Sequence, residues 1–150
     1  MRRVVPYVIA FAVVAVALGG WFERRGDSGS PTLSVIPDSP HAQPSSMGTY
    51  YVSFQPMPDP IPLNQPFKMS VAVYDGADHS KLVPDAVVTV DARMPAHNHG
   101  MNLEPEVTEK GDGTASVEGM LFHMAGHWEL YIDVIRDADM ERATFDVTLQ

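Results

Sequence analysis

The eight residues from Met94 to Met101, MPAHNHGM, hold two histidines and two methionines, and Phe122 to Leu130, FHMAGHWEL, adds two histidines and another methionine. Four of the six histidines in the chain therefore fall in two short runs. Imidazole nitrogen and thioether sulfur are both metal donors. Thioethers select Cu(I), whereas imidazole alone suits Cu, Zn and Ni. His97 and His99 are spaced i, i+2, which on an extended backbone turns both side chains to one side. Pro95 and Gly100 shape a bend in which the two imidazoles converge. Met101 and Met124 supply soft donors, while His123 and His127 either complete the site or lie on an outer strand face. The candidate metal ligands are thus His97, His99, Met101, Met124, His123 and His127. Copper, as Cu(I) ahead of Cu(II), is the metal this donor set favours.

Plainer uses compete for the same residue types. Met94 continues the inward face formed by Val88, Val90 and Ala92, so it is expected in the core, as are Met69, Met120 and Trp128. His127, one residue before Trp128, is expected to face away from that core. His97 and His99 sit in a loop beside a glycine and add nothing to a core, which favours a metal role for them. No serine or cysteine nucleophile stands in a recognisable frame, and there is no glycine-rich phosphate loop. Glu104 or Glu129 beside a histidine could form an acid–base pair, but no spacing singles them out. The expectation is a protein that is not an enzyme.

The chain has no cysteine. That excludes a disulfide framework, a thiolate zinc site, a cysteine nucleophile, a lipid-modified cysteine and a blue-copper centre. A His/Met donor set suits copper in an oxidising compartment, where thiolates risk oxidation. The formal net charge is −9. From Gly26 onward six basic residues stand against eighteen acidic ones, a balance of −12. Such a domain repels nucleic acid and anionic lipid surfaces, so no nucleic-acid partner is expected.

The elements that must position these residues follow from the periodicity. Val4 to Phe22 is a run of 19 uncharged residues; at about 1.5 Å per residue it spans close to the ~30 Å hydrocarbon thickness. Ala15-Val16-Ala17 resembles a cleavage site, but the apolar run continues past it, which favours an uncleaved anchor. Arg24 and Arg25 balance Arg2 and Arg3, so orientation rests on the basic start of a short signal-anchor. Residues 1–25 are read as this single-pass anchor in the cytoplasmic membrane, with the C-terminal domain on the extracytoplasmic (periplasmic) side. Residues 26–48, rich in Ser, Pro and Gly, read as a flexible tether that includes His41 and Met47. Residues 49–150 form the domain.

Within that domain the hydrophobic period is two. Strands are predicted over Thr49–Gln55, Phe67–Asp75, Ala86–Met94, Leu103–Val107, Thr114–Phe122, Trp128–Ile135 and Arg142–Leu149. Pro56–Pro66, with its many prolines, is predicted as a loop. About seven short strands with frequent turns predict an all-β fold, an immunoglobulin-like antiparallel β-sandwich, preceded by the N-terminal transmembrane helix. If the strands alternate in direction, the loops after the first, third and fifth emerge at one pole. Those loops are Pro56–Pro66 and the two His/Met segments. His79 and Met140 fall at the opposite pole.

The runs PLNQPFKMSVAVYD, PDAVVTVDARMPAHNHGM, GDGTASVEGMLFHMAGHWELYIDV and ATFDVTL resemble the YtkA-like domain family, which is related to FixH-like proteins. The resemblance covers roughly Tyr50 to Leu149. Its most specific features are Met94, Pro95, His97, His99, Gly100 and Met101, and then Phe122, Met124, Gly126, Trp128, Glu129 and Leu130. It implies a small exported β-sandwich, often membrane-tethered, and FixH-like relatives are linked to copper supply and assembly of haem–copper oxidases. The family supplies no agreed ligand set. Residues and resemblance together lead to an extracytoplasmic copper-binding protein that holds copper or delivers it to a membrane protein. The alternative is a metal-free assembly or protein-interaction module at the membrane surface.

Overall fold

Strict alternation of apolar and polar residues builds this fold, because successive strand side chains point to opposite faces. The structure, a computed structural model, describes residues 39–150. The expected anchor (residues 1–25) and the tether up to residue 38 lie outside the described residues. Among the described residues there are nine strands: β1 (Ala42–Pro44), β2 (Tyr50–Met57), β3 (Phe67–Asp75), β4 (Val87–Met94), β5 (His99–Gly100), β6 (Glu106–Glu109), β7 (Thr114–Met120), β8 (Gly126–Arg136) and β9 (Asp139–Leu149). They form two antiparallel sheets, one ordered β1-β2-β3-β7-β6 and the other β5-β4-β8-β9. The described residues form an all-β sandwich.

The inward faces match the predicted alternation. Phe67, Met69, Val71 and Val73 on β3 are buried, as are Val88, Val90, Ala92 and Met94 on β4. Trp128, Leu130, Ile132 and Val134 on β8 have no solvent exposure, and Ala143 and Phe145 on β9 complete the wall. Met69, Met120 and Trp128 are core residues, as expected. These side chains come from both sheets and form one apolar cluster. Burial of this kind contributes about 1.5–3 kcal/mol for each large side chain relative to exposure.

Several boundaries differ from the sequence expectation. The two additional strands are β1 and β5, each three residues or fewer, too short for a period-two signal. β1 lies inside the segment read as tether, and pairs with β2 through Ala42↔Ser53 and Pro44↔Tyr51. The short strand expected at Leu103–Val107 is β6 and starts only at Glu106, just after Pro105, which has no N–H for a ladder. Pro56, expected in a loop, is paired within β2 opposite Met69. The amide of Phe54 donates to the His41 carbonyl on the β1 side. Two residues on, the nitrogen of Pro56 faces that same side beyond the end of β1, where the ladder needs no donor.

The turn from β1 into β2 is tied to β9. Ser46 donates its amide to the Arg142 carbonyl at 2.8 Å. The buried carboxylate of Glu141 accepts from the Ser45 hydroxyl at 2.5 Å and from the Thr49 amide at 3.3 Å. Burial pushes the Glu141 carboxyl up, but hydrogen bonds from Ser45 and Thr49 to its ionised form outweigh that, and its pKa lies below the usual glutamate value. A carboxyl with a lowered pKa in the folded state stabilises the fold above its unfolded pKa of about 4.3, and that contribution is lost as pH falls below it. Glu141→Gln is therefore expected to lower stability at neutral pH by about 1.5–3 kcal/mol, the usual worth of hydrogen bonds to a charged group. Thermal melts of both proteins from about pH 7 to pH 3 test this, since the gap must narrow once the parent carboxylate protonates. A constant gap refutes the linkage.

Candidate metal centre

The first His/Met segment is shaped by three local devices. Pro95 opens a single 3-10 turn, Pro95–His97, its ring suiting the first position of a helical turn. Asn98 then adopts the left-handed conformation, φ 51° and ψ 40°, which asparagine tolerates better than most residues. The reversal returns the chain along β4 as β5, pairing Met94↔His99 and Arg93↔Gly100. The Arg93 guanidinium donates to the Asn98 side-chain oxygen at 3.2 Å and braces the turn. The segment is bent rather than extended at His97, so the i, i+2 rule does not align the two imidazoles. The bend brings them together instead, with ring centres 5.8 Å apart.

The second segment is organised by Trp128. Its ring is fully buried and stacks on Phe122 with centres 4.9 Å apart. Its indole N–H reaches back to the Met124 carbonyl at 2.9 Å. That bond closes the loop between β7 and β8 and satisfies a buried donor that would otherwise cost about 1–3 kcal/mol. The loop is stitched to the β2–β3 connection as well, because the Asn64 amide donates to the Phe122 carbonyl at 2.8 Å.

The two segments meet. The rings of His99 and His123 lie 5.1 Å apart, centre to centre. Both pack edge-on against Trp128, at 5.7 Å and 5.4 Å. The parity of the strands thus brings the three predicted loops to one pole. His99 directs Nδ1 at the Gly100 carbonyl, 3.1 Å away. Its Nε2 is buried without a hydrogen-bond partner, and so is Nδ1 of His123.

The remaining predicted ligands are placed differently. Met101 is half-buried and packs against the core, its amide bonded to the Ala92 carbonyl at 3.2 Å. Met124 is exposed in the loop beside His123. His127 is exposed on β8, and its Nε2 is engaged by the Asp146 carboxylate of β9 at 2.7 Å. It has none of the ring contacts that join His97, His99, His123 and Trp128. Met94 is core, as expected, and only 2% exposed. His79 stacks on Tyr51 with ring centres 3.8 Å apart, away from the cluster. Among the described residues, no group of three or more His, Asp or Glu side chains is arranged to hold a metal ion. A centre here would need the thioethers as well as the imidazoles. The part played by Trp128 as the wall against which both imidazoles pack was missed by sequence reasoning, which placed it only in the core.

The segment that carries this pole, residues 57–133, matches the YtkA-like family, slightly more than half of the 150-residue chain. The chain belongs to the YtkA-like family. No curated protein and no solved structure matches it. The matched part of this YtkA-like protein contains both His/Met segments and Trp128, and omits β1, all of β2 but Met57, the end of β8 and β9.

Gly126 joins the loop to β8 with φ 124°, a backbone region that side chains rarely adopt. A Cβ there would lie 2.5 Å from the Met94 methyl carbon. Gly126→Ala is expected to destabilise the YtkA-like domain by about 1–3 kcal/mol and to disturb Trp128. Chemical denaturation and near-ultraviolet circular dichroism check both effects, and an unchanged midpoint contradicts them.

Proposed function

We propose that this protein binds copper at the His/Met pole of an immunoglobulin-like sandwich and holds or delivers it outside the cytoplasm. The observation that carries this reading is the 5.1 Å approach of His99 and His123 from segments more than twenty residues apart in the chain. Two imidazoles, with thioethers on the same two segments and no thiolate, form a donor set suited to Cu(I) ahead of Cu(II). His97 and His99 come from the first segment with Met101, and His123 comes from the second with Met124. His127 is retained only as an auxiliary, since copper would have to compete with Asp146 for its Nε2. The N-terminal anchor would hold the domain at the periplasmic face of the membrane, where a copper-accepting membrane protein, such as a haem–copper oxidase under assembly, would receive the ion. No nucleic-acid partner and no enzymatic step enter this reading.

A second reading has its own support. Met57, Leu63, Leu103 and Met124 are large, exposed and apolar, and all four sit at strand ends or loops of this pole. The loops themselves, residues 57–66, 97–105 and 121–125, carry Asp59 and Glu104 and no lysine or arginine. An acidic, apolar rim is also what a metal-free assembly or interaction module would present to a membrane-protein partner.

A Cu(I) titration of the full-length protein in detergent micelles against a competing chromogenic chelator, without oxygen, separates the two. One equivalent is expected to bind, to be lost in His97→Ala/His99→Ala and to be unaffected by His79→Ala. Equal binding in the double variant would sink the assignment to this pole. A partner retained after chelation and in the double variant would favour the metal-free module.

A further inference from the structure

The unpartnered nitrogens allow the donor atoms to be named. The Gly100 carbonyl can only accept a hydrogen bond, so the proton of His99 sits on Nδ1 and the neutral ring keeps its lone pair on Nε2. That nitrogen is buried and has no partner. His123 shows the same condition at Nδ1, and a proton on its Nε2 leaves the Nδ1 lone pair free. Buried polar atoms are nearly always paired in folded proteins, and each exception has a cost of about 1–3 kcal/mol. Here both exceptions among the described side chains fall on adjacent rings, 5.1 Å apart, against one indole.

Resting on the copper reading above, we infer that His99 Nε2 and His123 Nδ1 are the primary ligands of a low-coordinate site for a soft monovalent cation, with Trp128 as its wall and His97 outside it. Two metal–nitrogen bonds of about 2.0–2.1 Å hold the two nitrogens at most about 4 Å apart. Ring centres 5.1 Å apart are compatible with that separation of the two nitrogens. Low coordination follows from the donors. Zinc sites take four N, O or S ligands, almost always tetrahedral, and no third His, Asp or Glu completes such a cluster among the described residues. The donors adjoining the pair in the chain are the thioethers of Met101 and Met124, which favour Cu(I) and similar soft ions over Zn(II). His97, exposed on its turn and 5.8 Å from His99, stands where an arriving or leaving ion would meet it. His123 Nδ1 has no hydrogen bond to lose in the metal-free protein, so that ring can be made apolar without the usual penalty for orphaning a buried partner, whereas His99 would give up its bond to the Gly100 carbonyl.

The test uses full-length protein carrying Trp21→Phe, so that Trp128 is the only tryptophan reporting. Cu(I), Ag(I) and Zn(II) are titrated anaerobically with a competing chelator while indole fluorescence is followed. His99→Leu and His123→Leu are each expected to weaken Cu(I) and Ag(I) binding more than about tenfold and to abolish the fluorescence response, whereas His97→Ala changes affinity by less than about threefold. The metal-free His123→Leu protein is expected to melt no lower than its parent. Loss of binding in His97→Ala with retention in His123→Leu overturns the pair and leaves the copper reading intact. Zn(II) bound as tightly as Cu(I) through the same pair overturns the monovalent assignment. Absence of copper binding in the parent overturns this inference together with the function on which it rests. If His123→Leu fails to fold, His123→Asn takes its place, and unchanged Cu(I) affinity there assigns the ring to packing and overturns the inference.

Discussion

Trp128 is buried completely yet still carries an indole N–H that must find an acceptor. It finds the carbonyl of Met124 four residues back, and much of the pole follows from that bond. The loop between β7 and β8 is closed over the indole, Phe122 is stacked beneath it, and His123 is left packed against its edge. Gly126 then passes close to the Met94 methyl in a positive-φ conformation that side chains rarely adopt. The largest apolar side chain of the domain therefore does two jobs. It fills the space between the sheets, and its polar atom orders the segment that meets His99.

The opposite end of the sandwich is held by different means. There a buried carboxylate, Glu141, gathers Ser45 and Thr49, and Ser46 bonds to the backbone of β9. The outer face of the β8–β9 pair is secured by Arg142, which donates twice to Asp133 at 2.6 Å and 2.7 Å and lies over the Tyr131 ring at 4.5 Å. No buried side-chain nitrogen or oxygen at these sites lacks a partner, in contrast to the two imidazole nitrogens at the His/Met pole. Pairing of the other buried side-chain nitrogens and oxygens among the described residues is what gives those two unpaired atoms their weight.

Acidity and the absence of cysteine act on the same pole. A net charge of −9 and no thiol leave imidazole and thioether as the soft donors available, in a field that draws cations in. The rim of exposed Met57, Leu63, Leu103 and Met124 surrounds those donors with apolar surface. The proposed copper centre and the alternative protein-contact face would occupy one pole and share the Met124 side chain.

The sequence by itself determined the β character, the inward faces of β3, β4 and β8, and the convergence of the three loops at one end. These depend on period-two alternation and on counting strand reversals, and both are local properties of a chain. The candidate histidines were legible as residue types and spacings. Their roles were not: that His97 lies on a 3-10 turn, that His127 is engaged by Asp146, and that His99 and His123 keep unpartnered nitrogens against Trp128 are consequences of contacts between segments distant in the chain. β1 and β5 escaped for a related reason, since two or three residues carry no period and are strands only because a neighbour lends its edge. Local alternation records which way a side chain points, and only the packed sandwich decides what it meets there.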